Sequence, residues 1–234
     1  MNLIIGGSSG LGKSLTICFS EIDKVLTISR KLIKSKNKNI ISIKLDINNH
    51  NLSRLYKSIK KEELSNIFFS IGLAMWNEDN LNLNYEKSKK ILDTNFHSIT
   101  KITNELIKRK KLKKNCLICF CSSASTILPR HRQIIYCASK SALNSYYKSL
   151  KTSLYLRNLN YRVANLILGY MDTKMSKGVA TPFKKINPDK IARYIFINRK
   201  KLHGIYHLPK YWYLIRLIVS LLPDNIVQKI IKNL

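Results

Sequence analysis

The stretch IIGGSSGLGKS, residues 4–14, holds four of the eight glycines of this 234-residue chain. It follows a short apolar run at residues 2–5, typical of a strand, and leads into an amphipathic run at 11–17, typical of a helix. A glycine turn between a strand and a helix directs main-chain N–H groups and the helix dipole at an anion. The alternative is a tight turn that uses glycine only for its positive φ, and this stretch alone does not distinguish the two.

Strand-like and helical patterns alternate along the rest of the chain. This alternation predicts an α/β fold with three layers, in which helices cover both faces of a mostly parallel, seven-stranded sheet. Ligands of such sheets bind at the carboxyl ends of the strands, which is where the glycine turn lies. The strand-like runs are 2–6, 24–29, 39–45, 66–71, 115–122, 161–168 and 203–208, and the helical ones are 11–20, 51–61, 85–110, 133–157 and 188–198.

Length and composition fit one domain with a full core, since 45% of the residues are hydrophobic. We expect residues 1–210 to form the main domain and residues 211–234 to form an apolar helical tail of the same domain. The chain shows neither a secretory signal nor an apolar run long enough to span a bilayer. Five cysteines, an odd number, fit a reducing compartment. These features predict a cytoplasmic protein.

Three of the cysteines, Cys116, Cys119 and Cys121, lie close together in one strand-like run. Alternate residues of a strand face opposite sides of the sheet, so these thiols are poorly arranged to share a metal ion. We therefore interpret them as buried core residues and predict no metal site.

The net charge of +29 suits an anionic partner such as nucleic acid, a membrane surface or a phosphorylated substrate. Compositional bias toward Lys, Asn and Ile is the interpretation we favour, and we expect no nucleic-acid partner. The densest cationic cluster, residues 108–114, precedes the fifth strand. We expect this cluster at the sheet edge opposite the ligand.

The second strand ends in Ser29, Arg30 and Lys31, nineteen to twenty-one residues after Gly10. An acid near this point would bind the ribose 2′-hydroxyl of NAD, whereas an arginine accommodates the 2′-phosphate of NADP. Arg30 can bind a phosphate through two parallel hydrogen bonds. The sequence therefore favours NADP(H) over NAD(H), with an ordinary surface charge as the alternative.

Tyr136 and Lys140 are four residues apart in a predicted helix, and Ser123 ends the preceding strand. Residues four apart share a helix face. A neighbouring ammonium would favour the phenolate and lower the pKa of Tyr136 toward neutrality. The tyrosine would then exchange a proton with a carbonyl oxygen that Ser123 also binds. A Tyr-x-x-x-Lys pair alone is common by chance, but the serine and the glycine turn make the set more specific.

Together these motifs resemble the short-chain dehydrogenase/reductase family, in its compact single-domain branch with a Rossmann fold. The resemblance covers roughly residues 2 to 210. It implies a catalytic set of Asn95, Ser123, Tyr136 and Lys140. It also implies a cofactor-binding set of Gly6, Ser8, Ser9, Gly10, Leu11, Gly12, Ser29, Arg30, Asp46, Gly72, Tyr136, Lys140, Gly169 and Thr173.

By the same resemblance, Tyr136 is the general acid/base and Lys140 binds the nicotinamide ribose while tuning Tyr136. Ser123 orients the carbonyl, and Asn95 holds a water that connects Lys140 to solvent. Asp46 faces the adenine, and the segment from Gly169 to Thr173 contacts the nicotinamide end. The implied activity is reversible hydride transfer between a small-molecule ketone or aldehyde and an alcohol.

Two departures from the family pattern affect the expected cofactor geometry. The usual Asn-Asn-Ala-Gly after the fourth strand is Phe69-Ser70-Ile71-Gly72 here, and the usual proline before Gly169 is Leu168. We expect altered packing at both places and no loss of a catalytic group.

Several features leave alternatives open. The segment 174–187 has no clear period and reads as a mobile loop. The tail could lie on the inner face of a membrane, with Trp212 and Tyr213 at headgroup depth, which would favour lipid-linked or long-chain substrates. It could instead cover the substrate cleft or a subunit contact. The family resemblance implies a homodimer or homotetramer. A non-catalytic basic protein that binds nucleotide and docks on a membrane or nucleic acid is the alternative function.

Overall fold

Seven strands form one sheet, in the order β3-β2-β1-β4-β5-β6-β7, in the computed structural model of this chain. The structure describes residues 1–49, 51–59, 63–74, 83–179 and 181–232. Every neighbouring pair of these strands is parallel, so the predicted sheet is confirmed. The strands are β1 (Asn2–Ile5), β2 (Val25–Ser29), β3 (Ile40–Lys44), β4 (Leu64–Phe69), β5 (Leu112–Ser123), β6 (Arg162–Leu168) and β7 (Gly204–Leu208).

Eight helices connect and flank the strands in the described part of the chain. Near-continuous apolar runs such as Asn2–Ile5 and Val25–Ser29 are buried on both faces, as expected for a parallel sheet between helix layers. The helices are α1 (Gly10–Ser20), α2 (Ser53–Ile59), α3 (Tyr85–Leu92), α4 (Ser98–Lys108), α5 (Ile134–Leu156), α6 (Pro188–Asn198), α7 (Tyr211–Leu221) and α8 (Asp224–Lys232).

The helices divide into two layers. On one face α2, α4 and α5 pack on the sheet through residues such as Leu55, Ile102 and Leu143. On the other face α1 and α6 contribute Leu15 and Ile195 to a second apolar cluster. The strand order reverses between β1 and β4, and this switch point places a crevice at the carboxyl ends of the strands. The three-layer, doubly wound Rossmann architecture is therefore confirmed.

The C-terminal helices form a third, smaller apolar cluster outside the two main layers. Its centre is Trp212, which is only 2% exposed and packs with Ala124 and Leu128. The expectation that Trp212 lies at the depth of lipid headgroups is therefore wrong, because the protein buries its indole. Tyr213, in contrast, is exposed. Among the described residues, no helix combines the length and the apolar character that crossing a membrane requires.

Two sequence expectations differ in detail from the structure, and a third, the position of the cationic cluster, agrees with it. The predicted helix 85–110 is divided by a π-helical turn at Asp93–His97, which separates α3 from α4. The segment 174–187 begins with a short 3-10 turn, Lys174–Ser176, in which the Ser176 hydroxyl accepts a 3.2 Å hydrogen bond from the main-chain N–H of Thr173. The cationic cluster 108–114 spans the end of α4 and the start of β5, at the sheet edge opposite the crevice. Residues 60 and 61 of the predicted second helix and residues 233 and 234 of the tail lie outside the described residues.

The clustered cysteines belong to the core. Cys116, Cys119 and Cys121 are all buried in β5, and burial raises the pKa of Cys116 to about 12 and that of Cys121 to about 11. Within the described ranges, no three His, Cys, Asp or Glu side chains are grouped so that they could hold a metal ion.

Candidate active site

A cleft of about 510 Å³ lies at the carboxyl edge of the sheet, across the switch point. This volume is within the range of small-molecule sites in proteins. Two of the residues that the sequence predicted for the site, Gly12 and Asn95, do not line the cleft. The others line it: Gly6, Ser8, Ser9, Gly10, Leu11, Ser29, Arg30, Asp46, Gly72, Ser123, Tyr136, Lys140, Gly169 and Thr173.

The glycine turn joins β1 to α1 along the floor of the cleft. Gly6 and Gly10 have φ angles of 95° and 51°, in the region where an L side chain is strained. Gly12 lies behind the turn, and a Cβ there would be 2.1 Å from the carbonyl oxygen of Gly6. Gly12 is therefore required for the close approach of helix and turn, whereas Gly6 and Gly10 border the cleft directly.

The turn fits the pyrophosphate of a dinucleotide. Helix α1 begins at Gly10, so its first amides have no partner within the helix and lie beside the cleft. A helix N-terminus with exposed amides and a positive dipole end is a ready site for phosphate. The residues present therefore fit a nicotinamide dinucleotide at this edge.

The end of β2 forms the rim of the cleft beyond the glycine turn. Ser29 donates a 2.5 Å hydrogen bond from its hydroxyl to the carbonyl oxygen of Lys31, which fixes the chain as it leaves the strand. Arg30 and Lys31 are exposed and both line the cleft. Asp46, at the end of β3, accepts a 3.0 Å hydrogen bond from the main-chain N–H of Asn48. Two cations and one carboxylate thus border this end of the site.

Tyr136 and Ser123 meet at the other end of the cleft, where β5 ends and α5 begins. Ser123 is 8% exposed, and its hydroxyl oxygen accepts a 3.1 Å hydrogen bond from the main-chain N–H of Ser125. The side chains of Ser123 and Tyr136 both line this end of the cleft. Burial raises the pKa of Tyr136 above its usual value, and the Ser123 hydroxyl and the charge of Arg130 offset only part of this rise.

Lys140 lies one helical turn beyond Tyr136 and is 2% exposed. Its ammonium nitrogen is 5.9 Å from the centre of the Tyr136 ring. It donates to the carbonyl oxygens of Cys121, at 2.9 Å, and Ile71, at 3.4 Å. Burial lowers the pKa of Lys140 to about 8. The expectation that this ammonium lowers the pKa of Tyr136 toward neutrality is wrong in this structure, because burial of the phenol dominates.

Asn95 is fully buried in the π-helical turn between α3 and α4. Its amide oxygen accepts from the N–H of Leu73 at 2.7 Å, and its amide nitrogen donates to the carbonyl oxygen of Leu73 and to the hydroxyl of Ser139, each at 2.9 Å. Asn95 therefore joins the segment after β4 to α5. Single π-helical turns are frequent at functional sites, and here one places this side chain beside Lys140 and Gly72.

The segment after β6 closes the cleft on the far side of the glycine turn. A Cβ on Gly10 would be 3.2 Å from the methyl group of Thr173, so the two segments face each other closely. A Cβ on Gly169 would be 2.3 Å from the indole nitrogen of Trp212. The C-terminal tail thus packs directly against one of the predicted cofactor-binding residues through Trp212.

Sequence reasoning missed a further group of residues that line the cleft near Tyr136. Arg130, Gln133, Tyr170 and Lys174 belong to this group. The guanidinium carbon of Arg130 lies 4.4 Å from the centre of the Tyr170 ring. The signal available was the basic run Arg130-His131-Arg132, directly before the tyrosine helix, but only the fold shows that Arg130 faces the cleft while Arg132 is exposed.

The sequence of this chain matches a known protein family. The sequence model of the short chain dehydrogenase family matches residues 1–184, which is more than half of the chain. The chain belongs to the short-chain dehydrogenase family. The predicted resemblance to this family of oxidoreductases is therefore confirmed.

Individual relatives of the dehydrogenase are more distant. It is 34% identical to a hydroxysteroid 11-beta-dehydrogenase 1-like protein A of Xenopus laevis, over 80 residues that make up 34% of this chain and 27% of that protein. The match therefore spans about a quarter of that relative's length.

Solved structures share the fold over most of the dehydrogenase. A short chain dehydrogenase family protein of Francisella tularensis superposes with a TM-score of 0.76 at 23% identity, covering 88% of this chain and 95% of the other. A 3-ketoacyl-(acyl-carrier-protein) reductase of Brucella melitensis complexed with NADH gives 0.77 at 17% identity, with coverage of 88% and 95%. A short chain dehydrogenase of Burkholderia cenocepacia in complex with NADP gives 0.73 at 17% identity, with coverage of 88% and 86%.

Proposed function

We propose that this short-chain dehydrogenase is an NADPH-dependent reductase of a carbonyl compound, working reversibly on the ketone or aldehyde and its alcohol. The observation that carries the proposal is that Tyr136, Ser123 and Lys140 line the same cleft that the glycine turn borders, with the Ser123 hydroxyl near enough to Tyr136 to lower its pKa. This arrangement places a proton donor and a second hydroxyl at one spot. A carbonyl oxygen held there would be within reach of both groups.

Tyr136 is the proposed general acid in the direction of reduction. Since its pKa is raised, the phenol is protonated at neutral pH and can donate to a carbonyl oxygen that becomes negative as the reaction proceeds. Ser123 orients that oxygen through its hydroxyl, because its own oxygen is already held by the N–H of Ser125. The bound nicotinamide supplies the hydride.

Lys140 has two proposed roles in this reaction. Its ammonium is mostly protonated at neutral pH, since its pKa is about 8, and it stabilises the negative charge that develops beside Tyr136. It also lies beside Gly72 at the nicotinamide end, where it can donate to the ribose of the cofactor. Asn95 acts through its neighbours, because its amide joins the Gly72–Leu73 segment to the helix that carries Lys140.

Arg30 and Lys31 support the choice of NADPH over NADH. The structural neighbours include complexes with NADH and with NADP, so the fold allows both cofactors. The rim of this cleft at β2 carries two exposed cations, and a 2′-phosphate would be attracted by both. The carboxylate of Asp46 lies at the end of β3, where the adenine is expected.

The cofactor preference can be measured by fluorescence titration with NADPH and NADH. We expect the wild-type protein to bind NADPH at least about tenfold more tightly, since a charge-assisted hydrogen bond contributes about 1.5–3 kcal/mol. Arg30→Glu should abolish this preference. Lys34→Glu makes the same change of charge at an exposed position outside the cleft and should retain it. Equal affinities of the wild-type protein for both cofactors would refute the NADPH assignment.

The non-catalytic alternative is less favoured. A protein that only binds nucleotide does not require a buried lysine with a lowered pKa, such as Lys140, near Tyr136 and Ser123. Turnover of a ketone by the wild-type protein separates the two functions directly.

Peripheral contact with a membrane, a long-chain or lipid-linked substrate, and a homodimer or homotetramer remain predictions. The first would use the outer face of α7, where Leu214, Ile218 and Leu221 are exposed. Sedimentation with anionic vesicles and light scattering test the contact and the oligomeric state, respectively.

A further inference from the structure

Gln133 lies immediately before α5, in the wall of the cleft beside Tyr136. It is 1% exposed, and its amide nitrogen has no hydrogen-bond partner among the described residues. Its amide oxygen accepts a 3.0 Å hydrogen bond from the guanidinium of Arg130. Because a guanidinium can only donate, this bond fixes which end of the amide is oxygen and leaves the N–H₂ group as an unused donor. A buried donor without a partner is unfavourable unless a ligand satisfies it.

Arg130 supplies positive charge at the same place. Its guanidinium is held between the amide oxygen of Gln133 and the face of the Tyr170 ring, and its main-chain N–H contacts the sulfur of Cys137 at 3.4 Å. The charge reaches the reacting group, since Arg130 is one of the groups that lower the pKa of Tyr136. A fixed cation and an unused amide donor therefore lie beside the proposed proton donor.

The charges around the cleft are unevenly distributed. Among the described residues that line it, Asp46 is the only acid, and it lies at the end of β3. Arg130 follows β5, three strands further across the sheet from β2, and Lys174 follows β6 on the same side. Of the described residues that line the end of the cleft holding Tyr136, Arg130 and Lys174 are cations and none is an acid.

From these observations we propose that Arg130 and Gln133 bind a carboxylate of the substrate, so that the substrate class is an oxo acid whose carboxylate lies near the carbonyl group. The guanidinium and the amide N–H₂ together offer N–H donors and one positive charge, which match the oxygens and the charge of a carboxylate. The inference rests on the proposed reductase function and adds the substrate class.

The test compares two oxo acids, benzoylformate and benzoylacetate, with their methyl esters, which keep the carbonyl and lose the charge. Steady-state reduction with NADPH is measured for the wild-type protein and for Arg130→Gln, Gln133→Leu and Gln133→Glu. Arg157→Gln makes the same substitution as Arg130→Gln at an exposed position on the other end of α5 and is the matched control. Calorimetric titration of each acid and ester, with no turnover, is a second and independent measurement.

We expect the wild-type protein and Arg157→Gln to prefer at least one acid over its ester by tenfold or more in kcat/KM. Arg130→Gln and Gln133→Leu should lose that preference, with the loss appearing in KM for the acid; each variant is judged by its own acid-to-ester ratio. Gln133→Glu should repel the acid and so reverse the preference. Equal acid-to-ester ratios in the wild-type protein and the variants, or a wild-type preference for both esters, would overturn the proposal.

The two measurements separate failure of this inference from failure of the reductase assignment. If an acid binds in the calorimeter and the variants weaken it, the carboxylate site is supported even if no substrate is reduced, and only the reductase assignment fails. If ketones are reduced but acids bind no more tightly than esters, the carboxylate site is rejected and the reductase assignment stands. Thermal unfolding of each variant identifies any that does not fold, and Gln133→Glu then serves in place of Gln133→Leu.

Discussion

The ammonium nitrogen of Lys140 lies 5.9 Å from the centre of the Tyr136 ring while it donates to main-chain carbonyl oxygens rather than to the phenol. The two side chains share a helix face, as their spacing requires, yet burial is the main cause of the pKa shift of each. The phenol keeps its proton to higher pH than usual, and the ammonium loses its proton at lower pH than usual. Because the pKa of Lys140 is about 8, a small change of pH near the physiological range changes its protonation state.

Replacing Lys140 by Met should change how stability depends on pH. The pKa of Lys140 is about 8 in the folded chain, against the usual lysine value of 10.5 in the unfolded chain. Below pH 8 both states carry the proton, and the folded chain bears the full penalty of a buried charge. Between these values the unfolded chain binds more protons, so the free energy of unfolding rises with pH. Because one pKa unit corresponds to about 1.36 kcal/mol, the wild-type protein should gain on the order of 2–3 kcal/mol relative to Lys140→Met across this window.

Urea denaturation at pH values from 7 to 10.5 measures this difference. Lys148→Met, at an exposed position of the same helix, is the control and should follow the wild-type curve. Parallel curves for the wild-type protein and Lys140→Met would show that Lys140 is not a buried, easily deprotonated amine.

An alanine should be destabilising at Gly12 and tolerated at Gly72. A Cβ on Gly12 would be 2.1 Å from the carbonyl oxygen of Gly6, a main-chain atom that cannot move without displacing the turn. A Cβ on Gly72 would meet its nearest atoms at 3.7 Å, which is ordinary contact. Gly12→Ala should therefore lower the thermal midpoint by several degrees and weaken NADPH binding at least about tenfold.

Gly72→Ala is the matched folding control, and its thermal midpoint should stay within about two degrees of the wild-type value. Circular dichroism melts and NADPH titration report both effects. A Gly12→Ala protein with wild-type stability and affinity would contradict the close approach of α1 to the turn.

The tail should be coupled energetically to the cofactor end of the cleft. A Cβ on Gly169 would overlap the indole of Trp212 on α7, at 2.3 Å from its nitrogen. Gly169→Ala should cost about 1–3 kcal/mol, the usual range for overpacking. In a Trp212→Leu background the same change should cost at least about 1 kcal/mol less, because the indole is gone. Additive effects of the two substitutions in urea denaturation would mean that the residues do not touch.

Asn95 should contribute to stability through its three hydrogen bonds. Asn95→Leu leaves the N–H and the carbonyl oxygen of Leu73 without their buried partner. Each unsatisfied buried group costs about 1–3 kcal/mol, so the expected total loss is a few kcal/mol. Asn104→Leu, at an exposed position of α4 with one hydrogen bond from Tyr146, should cost no more than about 1 kcal/mol. Chemical denaturation decides the matter, and a stable Asn95→Leu protein would exclude the bracing role.

The sequence predicted the sheet well because buried parallel strands are continuous apolar runs between helical periods. The resemblance also supplied candidate site residues that line the cleft, since Gly6 and Gly10 and the pair Tyr136 and Lys140 have fixed spacings. The pKa shifts of Tyr136 and Lys140 could not be predicted from these spacings. Periodicity shows that two side chains share a face, but the carbonyl oxygens that accept from Lys140 belong to β5 and to the segment after β4, which are distant from α5 in sequence.

Two other features needed the fold for the same reason. The π-helical turn around Asn95 has no sequence signature, because its apolar spacing continues from α3 into α4. Arg130 and Gln133 precede the tyrosine helix in a basic run that resembles an ordinary surface, and only the fold brings Arg130 against Tyr170, which follows β6. The burial of Trp212 likewise depends on Gly169, more than forty residues earlier in the chain.

The most direct test of the central claim is the reduction of a ketone by Tyr136→Phe with NADPH, together with NADPH binding and thermal unfolding. Removing the hydroxyl takes away the proposed proton donor, so kcat should fall by about 10²–10⁴, while NADPH affinity and the thermal midpoint stay near wild-type values. Tyr155→Phe, at an 81% exposed position of the same helix, should leave all three unchanged. A Tyr136→Phe protein that binds NADPH and reduces the ketone within tenfold of the wild-type rate would contradict the account.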